Sequence, residues 1–366
     1  MIAKHRQGED IPDLIIRADA DSDVGAGHVM RCLSLASGWT RMGGNSVFLG
    51  KIGSTALRGR VEREGFERLQ LERTHPDPLD LETTLRTLHG RALGGPGGEC
   101  WLALDGYRFC SAYQEAIKAA GFRLLVLDDN AHLARYHADL LLNQNLGADT
   151  LSYSADHDTH CLLGPRYALL RPEFCRWKNW ARNVPASARN LLITMGGADP
   201  ANVTLKVVQA LRHLNAKNLD VRVVVGSENP NSAILHSVTT GVTGVQLLAA
   251  PKDMPSLMAW ADVAVSAGGS TCWELAFMGL PSLTIILADN QRLNAELLDD
   301  AGVSTNLGCH ESLSSDQIAQ GLKVLLESTE RLDEMARLGR ALIDGKGVDR
   351  VLDAITARDD QIKASA

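Results

Sequence analysis

Two Rossmann-like α/β domains in tandem, each built on a parallel sheet and with a cleft between them, are predicted by three observations. Candidate strands alternate with candidate helices along the chain, which implies parallel sheets covered on both faces. The strand-turn-helix pattern restarts at Asn190 after an irregular stretch containing Pro172 and Pro185. A chain of 366 residues is also long for a single core. The expected boundaries are 13–185 for the first domain, 189–350 for the second and 351–366 for a tail helix.

Leu14, Ile15 and Ile16 read as a short buried strand, followed by a polar, glycine-containing loop to His28. Val29, Leu33, Ala36 and Trp39 then recur at helical spacing. A strand over Ser46–Leu49 precedes a helix from Ser54 to Glu64 that Gly65 closes, and Leu81–Leu93 reads as another helix. The glycine-rich stretch 94–98 is a surface loop before the strand Cys100–Leu104. Ser111–Ala120 is helical, and the strand Arg123–Leu127 ends in Asp128-Asp129. Arg171–Ala188 has no clean period, and its end reads as the linker.

In the second domain the strand Asn190–Thr194 leads through Met195-Gly196-Gly197-Ala198-Asp199 into a helix over Asn202–Leu214. Strands at Val221–Val225 and Val245–Leu248, the helix Met254–Trp260 and the strand Val263–Ser266 follow. The Gly268-Gly269 turn opens the helix Ser270–Met278, then come the strand Ser282–Leu287 and helices to the end. Ligands of open parallel sheets sit at the carboxyl ends of strands, where both glycine turns of this domain lie.

Hydrophobic residues make up 45% and charged residues 22%, an ordinary globular balance. The net charge of -7 argues against a general nucleic-acid binder. Seven Cys without a CxxC point to reduced thiols in a cytoplasmic protein. Met1–Pro12 lacks an apolar signal core, and no stretch is apolar enough to span a bilayer, so no stable membrane insertion is expected.

The turn Gly25-Ala26-Gly27 delivers His28 to a helix N-terminus. There unpartnered N–H groups and a positive dipole welcome an anion and disfavour a protonated imidazole, and a neutral imidazole can take a proton from water. A dinucleotide fingerprint fails, because position 30 is Met where a third glycine is needed, and Lys51 follows the second strand where an acid is wanted. A plain strand-to-helix turn with a surface His remains the alternative. In Ser266–Glu274 the glycines admit a ligand to the backbone, and the N–H groups opening the next helix suit a diphosphate. Glu274, one turn beyond Ser270, could accept from both ribose hydroxyls, or else be a solvated carboxylate after a tight turn. Asn290 and Gln291 offer amides suited to sugar hydroxyl and acetamido groups, while Asp289-Asn290 also reads as an N-cap.

Asp19-Ala20-Asp21 matches the acidic triplet with which many glycosyltransferases hold a metal. A metal-free site is favoured, because a helix N-terminus can neutralise a diphosphate without a cation. His157-Asp158-Thr159-His160 lacks a third ligand at a characteristic spacing and reads as a solvated loop.

Taken in order, these motifs resemble one family. They are Arg17-x-Asp19, Gly25-x-Gly27-His28-x-x-Arg31-Cys32, Asp105-x-Tyr107, Asp128-Asp129, Met195-Gly196-Gly197-x-Asp199 with Asn202, Ser266-Ala267-Gly268-Gly269-Ser270-Thr271-x-Trp273-Glu274, and Asn290-Gln291. Over about Leu14 to Ala301 the chain resembles the PseG-type nucleotide-sugar hydrolases of pseudaminic acid biosynthesis, relatives of the MurG glycosyltransferases. The resemblance implies a GT-B fold and removal of UDP from UDP-2,4-diacetamido-2,4,6-trideoxy-β-L-altropyranose by water. The implied reaction inverts C1 and needs no metal or other cofactor, and its pathway serves flagellin glycosylation.

His28 is the implied base, with Gly268, Gly269 and Ser270 at the phosphates and Glu274 at the ribose. Arg17, Asp19, Gly25, Gly27, Arg31, Asp105, Tyr107, Gly196, Gly197, Asn202, Asn290 and Gln291 complete the implied substrate site. The UDP-sugar is the expected partner, and a monomer is expected. Met1–Asp13 and the 94–98 loop have no assigned counterpart. Two alternatives stay open: a related glycosyltransferase of surface polysaccharide synthesis, and a non-catalytic nucleotide-sugar binding module. A membrane-associated transferase would want an apolar or basic patch on the first domain, and no such run lies between residues 50 and 100.

Overall fold

The structure is a computed structural model that describes residues 11–21, 25–94, 100–214, 219–226 and 229–365. It divides into two compact units, Met1–Pro172 with Lys346–Ala366 and Glu173–Gly345. Residues 95–98 of the expected glycine loop, and Ser22–Val24 of the first turn, lie outside the described residues.

The first unit alternates β1 (Asp13–Ala18), α1 (Gly27–Arg41), β2 (Ser46–Gly50), α2 (Thr55–Arg63), β3 (Glu67–Gln70), α3 (Asp80–Gly94), β4 (Cys100–Asp105), α4 (Ser111–Ala119) and β5 (Arg123–Leu127). Two further strands, β6 (Leu140–Asn143) and β7 (His160–Leu163), complete a sheet of order β3-β2-β1-β4-β5-β6-β7, parallel throughout. Every residue of β1 is buried, as expected for a strand covered on both faces. Leu14, Ile16 and Ala18 face one layer with Cys32, Leu33 and Trp39. Ile15 faces the other with Leu102, Tyr113 and Ile117. The sequence reading missed β3, whose Glu-Arg-Leu-Gln is a partly exposed edge strand without apolar alternation. It also stopped short of β6, which is buried between β5 and β7.

In the second unit β8 (Asn190–Thr194), α5 (Val203–Ala210), β9 (Asp220–Val225), α6 (Ser232–Thr239) and β10 (Val245–Ala249) lead to α7 (Met254–Trp260), β11 (Val263–Ala267) and α8 (Thr271–Phe277). Then come β12 (Ser282–Ile286), α9 (Arg292–Asp300), β13 (Thr305–Cys309), α10 (Ser315–Leu326) and α11 (Thr329–Leu342). The sheet order is β10-β9-β8-β11-β12-β13, again parallel. The half-buried β13 and the short α6 were not read from sequence.

The last helix, α12 (Gly347–Ser365), packs on the first unit. Val351, Leu352 and Ile355 enter the core against α1, each contributing about 1.5–3 kcal/mol by burial. Gly38 of α1 makes room, since a Cβ there would lie 2.5 Å from Val348 Cγ1 and 2.8 Å from Leu352 Cδ1. Trp101 Nε1 donates to Asp359 at 3.0 Å. Residues 347–350, expected in the second domain, and the expected tail helix thus form one helix of the first unit. The stretch expected to hold the linker is instead strapped to the second unit. Phe174 is buried and meets Phe277 edge-on at 6.2 Å, and Arg182 donates to the carbonyls of Met258, Ala261 and Met278.

Candidate active site

In an open parallel sheet the strand order reverses at one point, where loops leave in opposite directions and open a crevice. In the first unit that point lies between β1 and β4, and in the second between β8 and β11. His28 follows β1, and Asp105 and Tyr107 stand at the end of β4. The two glycine turns follow β8 and β11. The chemistry-bearing motifs therefore collect at the switch point of each sheet.

Gly25 has φ +76°, a left-handed turn that favours glycine. After it α1 starts at Gly27, so His28 is the second helical residue. It is 6% exposed, and Nδ1 lies 2.6 Å from Asp105 Oδ1. The Tyr107 ring meets the imidazole edge-on at 4.8 Å. Arg31, one turn along α1, grips the same carboxylate with two donors, Nε to Oδ2 and Nη2 to Oδ1, both at 2.6 Å. Its Nη1 donates to both oxygens of Asp129 at 2.9 Å. Asp129 in turn accepts from Tyr107 OH at 2.7 Å and Asn145 Nδ2 at 3.0 Å.

Burial alone would raise the Asp105 carboxyl, but the charge of Arg31 and the hydrogen bonds from Arg31 and His28 outweigh it and hold it well below the usual carboxylate range. An ionised carboxylate only accepts, so Nδ1 carries the proton and Nε2 keeps the lone pair when the ring is neutral. No described residue partners Nε2. The geometry is that of a base and its orienting acid.

Arg17 and Asp19, expected at the substrate, turn inward instead. Arg17 is fully buried, with Nη1 and Nη2 on the two oxygens of Asp19 at 2.7 and 3.0 Å and its other donors on Asp80. Asp19 also accepts from the backbone N–H of Lys51 at 2.8 Å and of His75 at 2.9 Å. These bonds occupy both its oxygens, so the pair shapes the loops of this rim. Asp105, 0% exposed, holds His28 and Arg31 by the bonds described above. Among the described residues no group of three His, Cys, Asp or Glu is arranged to hold a metal. His157 and His160 are both exposed.

The two glycine turns of the second unit differ. After β8, Gly196 has φ +84°, and Gly226 approaches so closely that a Cβ on it would lie 2.0 Å from Gly197 O. Asp199 closes the start of α5, accepting from Val203 N at 2.8 Å, Thr204 N at 2.9 Å and Thr204 Oγ1 at 2.6 Å. Asn202 there has φ +52°, and its Oδ1 is buried without a partner among the described residues.

After β11, no side chain caps α8. Gly268 is buried and Ser270 exposed. A Cβ on Gly268 would press on Gln291 Cβ at 3.2 Å and Ala295 Cβ at 3.4 Å. Glu274 is 7% exposed, which removes the solvated alternative. Gln291 Oε1 accepts from Leu287 N at 3.0 Å, and its Nε2 lies 3.8 Å from where a Cβ on Gly269 would stand. Asn290 is exposed. Asn294, which sequence reasoning missed, donates to Gly268 O at 3.3 Å while its Oδ1 is buried without a partner among the described residues. Its signal was the spacing of three from Gln291 on one helix face.

Residues 191–345, within the second unit, match the glycosyltransferase family 28 C-terminal domain. The spore coat polysaccharide biosynthesis protein SpsG of Bacillus subtilis is 24% identical over 230 residues, 63% of this chain and 68% of that protein. A Helicobacter pylori protein named pseudaminic acid cytidylyltransferase and UDP-2,4-diacetamido-2,4,6-trideoxy-beta-L-altropyranose hydrolase is 25% identical over 216 residues. That match covers 58% of this chain and only 38% of the Helicobacter protein. The crystal structure of Acinetobacter baumannii MurG superposes with a TM-score of 0.62 at 17% identity, covering 95% of this chain and 100% of MurG. The fold is the two-domain GT-B fold of such glycosyltransferases.

Proposed function

We propose that the chain is a metal-independent hydrolase of a UDP-sugar, acting in pseudaminic acid biosynthesis on UDP-2,4-diacetamido-2,4,6-trideoxy-β-L-altropyranose. The observation that carries this reading is the His28–Asp105 pair, a buried carboxylate fixing an imidazole whose Nε2 has no partner among the described residues. A binding module has no use for an oriented base. The Helicobacter relative's name supports the choice of substrate.

In this reading the second unit holds UDP, with the Gly268-Gly269-Ser270 turn at the diphosphate, Glu274 at the ribose, and Asn202, Asn290 and Gln291 completing the site. His28 Nε2 takes a proton from water as the water oxygen bonds to C1 from the face opposite UDP. The bond from C1 to the phosphate oxygen breaks, and the electron pair leaves with UDP. The backbone N–H groups at the start of α8 face the growing negative charge, which is electrostatic stabilisation without a cation. The chain would act as a cytoplasmic monomer; among the described residues no helix is long and apolar enough to cross a membrane.

The test is incubation with this substrate and with UDP-N-acetylglucosamine, without an acceptor and with EDTA present, following free UDP. Running it in ¹⁸O-water is expected to label the sugar at C1 and leave UDP unlabelled. Label in UDP would mean attack at phosphorus and would sink the mechanism. A second reading, a surface-polysaccharide glycosyltransferase, is favoured by the family 28 domain itself. UDP release only after an acceptor sugar is added would select it.

A further inference from the structure

A second imidazole stands at the same edge of the first sheet. His75 lies in the segment between β3 and α3, and its side chain is 11% exposed. Its Nδ1 is 3.1 Å from Asp80 Oδ2, and its ring stacks on Phe109 at 4.5 Å with 26° between planes. Tyr113 closes the edge at 5.3 Å, and the His75 backbone N–H is tied to Asp19. The segment after β4 seats both histidines, with Tyr107 against His28 and, two residues on, Phe109 against His75.

We propose that His75 is a sugar-binding residue, its Nε2 accepting a hydrogen bond from an N–H or O–H group of the sugar while Asp80 holds Nδ1–H. This rests on the UDP-sugar reading above. The Asp80 carboxylate accepts from Arg17, Tyr113 and Thr84 as well, so it is locked as an acceptor and Nδ1 must be the donor. Burial would raise the Asp80 carboxyl, but the bonds from His75 and Arg17 hold it well below the usual carboxylate range. Nε2 has no partner among the described residues and is not a buried orphan, so it faces outward. An aromatic-backed acceptor of fixed direction suits an acetamido N–H or a ring hydroxyl. A phosphate, which offers acceptors only, would repel it. The sequence reading passed over His75 because nothing near it has a motif spacing. Only Asp19, Phe109 and Asp80, brought together from two loops and the start of α3, give it a role.

The test has two parts. Ring ¹⁵N spectra of the free protein are expected to show His75 as the Nδ1–H tautomer; the Nε2–H tautomer overturns the assignment. Calorimetry with UDP and with UDP-N-acetylglucosamine then compares wild type with His75→Asn, whose amide can keep the Asp80 bond but has no atom at the place of Nε2. UDP affinity is expected to stay within about twofold, while UDP-N-acetylglucosamine weakens about 3–10-fold, the value of one hydrogen bond. His75→Gln, whose longer amide reaches outward, should recover part of the loss. Equal effects on both ligands, or none on the sugar nucleotide, overturn the proposal. A wild-type chain that binds neither ligand instead overturns the UDP-sugar reading on which the proposal rests.

Discussion

Replacing Asp105 with Asn tests the orientation of the base directly. The carboxylate is 0% exposed and accepts from His28 Nδ1 and from two donors of Arg31, all at 2.6 Å. An amide supplies one acceptor oxygen and presents N–H to the other donor, so at least one of these bonds becomes a clash of donors. Breaking one side of a buried ion pair costs about 3–5 kcal/mol. Arg31 keeps both oxygens of Asp129, which places the expected loss near the lower end. The amide also favours the tautomer with the proton on Nε2, where the lone pair is needed, so turnover should fall roughly 10²–10⁴-fold. Urea unfolding and steady-state kinetics on the folded fraction measure the two effects separately.

The pH dependence adds a sign. The folded-state value of Asp105 is depressed, so its stabilisation is present above the unfolded value near ~3.9 and is lost as pH falls through the folded value. The stability gap between wild type and D105N should therefore hold from neutral pH down to about pH 4 and shrink below it. Turnover in D105N equal to that of wild type, with no stability gap between the two at pH 5 to 7, would refute the orienting role.

Four further outcomes follow from the same geometry. His28→Asn should leave UDP affinity intact while kcat falls roughly 10²–10⁴-fold; a raised KM with kcat retained would make His28 a binding residue only. Glu274→Ala should weaken UDP by about 1–3 kcal/mol in calorimetry, and equal affinities would remove Glu274 from the site. Turnover should survive EDTA, whereas loss on chelation with rescue by a divalent cation would return Asp19 and Asp21 to consideration as ligands. Asp199→Ala should cost about 1–2 kcal/mol in thermal unfolding through the lost α5 cap.

Much of the architecture was legible because it rests on local chemistry. Apolar runs such as Leu14–Ile16 and Val263–Val265 must be buried on both faces, and alternation with amphipathic helices makes the sheets parallel. Glycine at 25, 196 and 268 marked the turns: Gly25 and Gly196 take a left-handed φ that side chains disfavour, and a Cβ on Gly268 would press on its neighbours. The placement of His28 at a helix start followed from the same signals. The edge strands β3 and β13 escaped, since they owe their conformation to a neighbour's hydrogen bonds rather than to their own pattern.

The roles of the polar residues could not be read in this way. Arg17 and Asp105 carry motif spacings, yet whether each meets a ligand or another side chain depends on residues 63 and 77 positions away, Asp80 for Arg17 and His28 for Asp105. The return of α12 to the first unit likewise depends on Gly38 of α1 leaving space for Val348 and Leu352. Side-chain partnership across the chain is set by packing, and packing is decided only once the elements stand next to one another. The sequence by itself determined the strands, the turns and the residues able to do chemistry; the tertiary structure decided which of them hold the site in place and which are left facing outward.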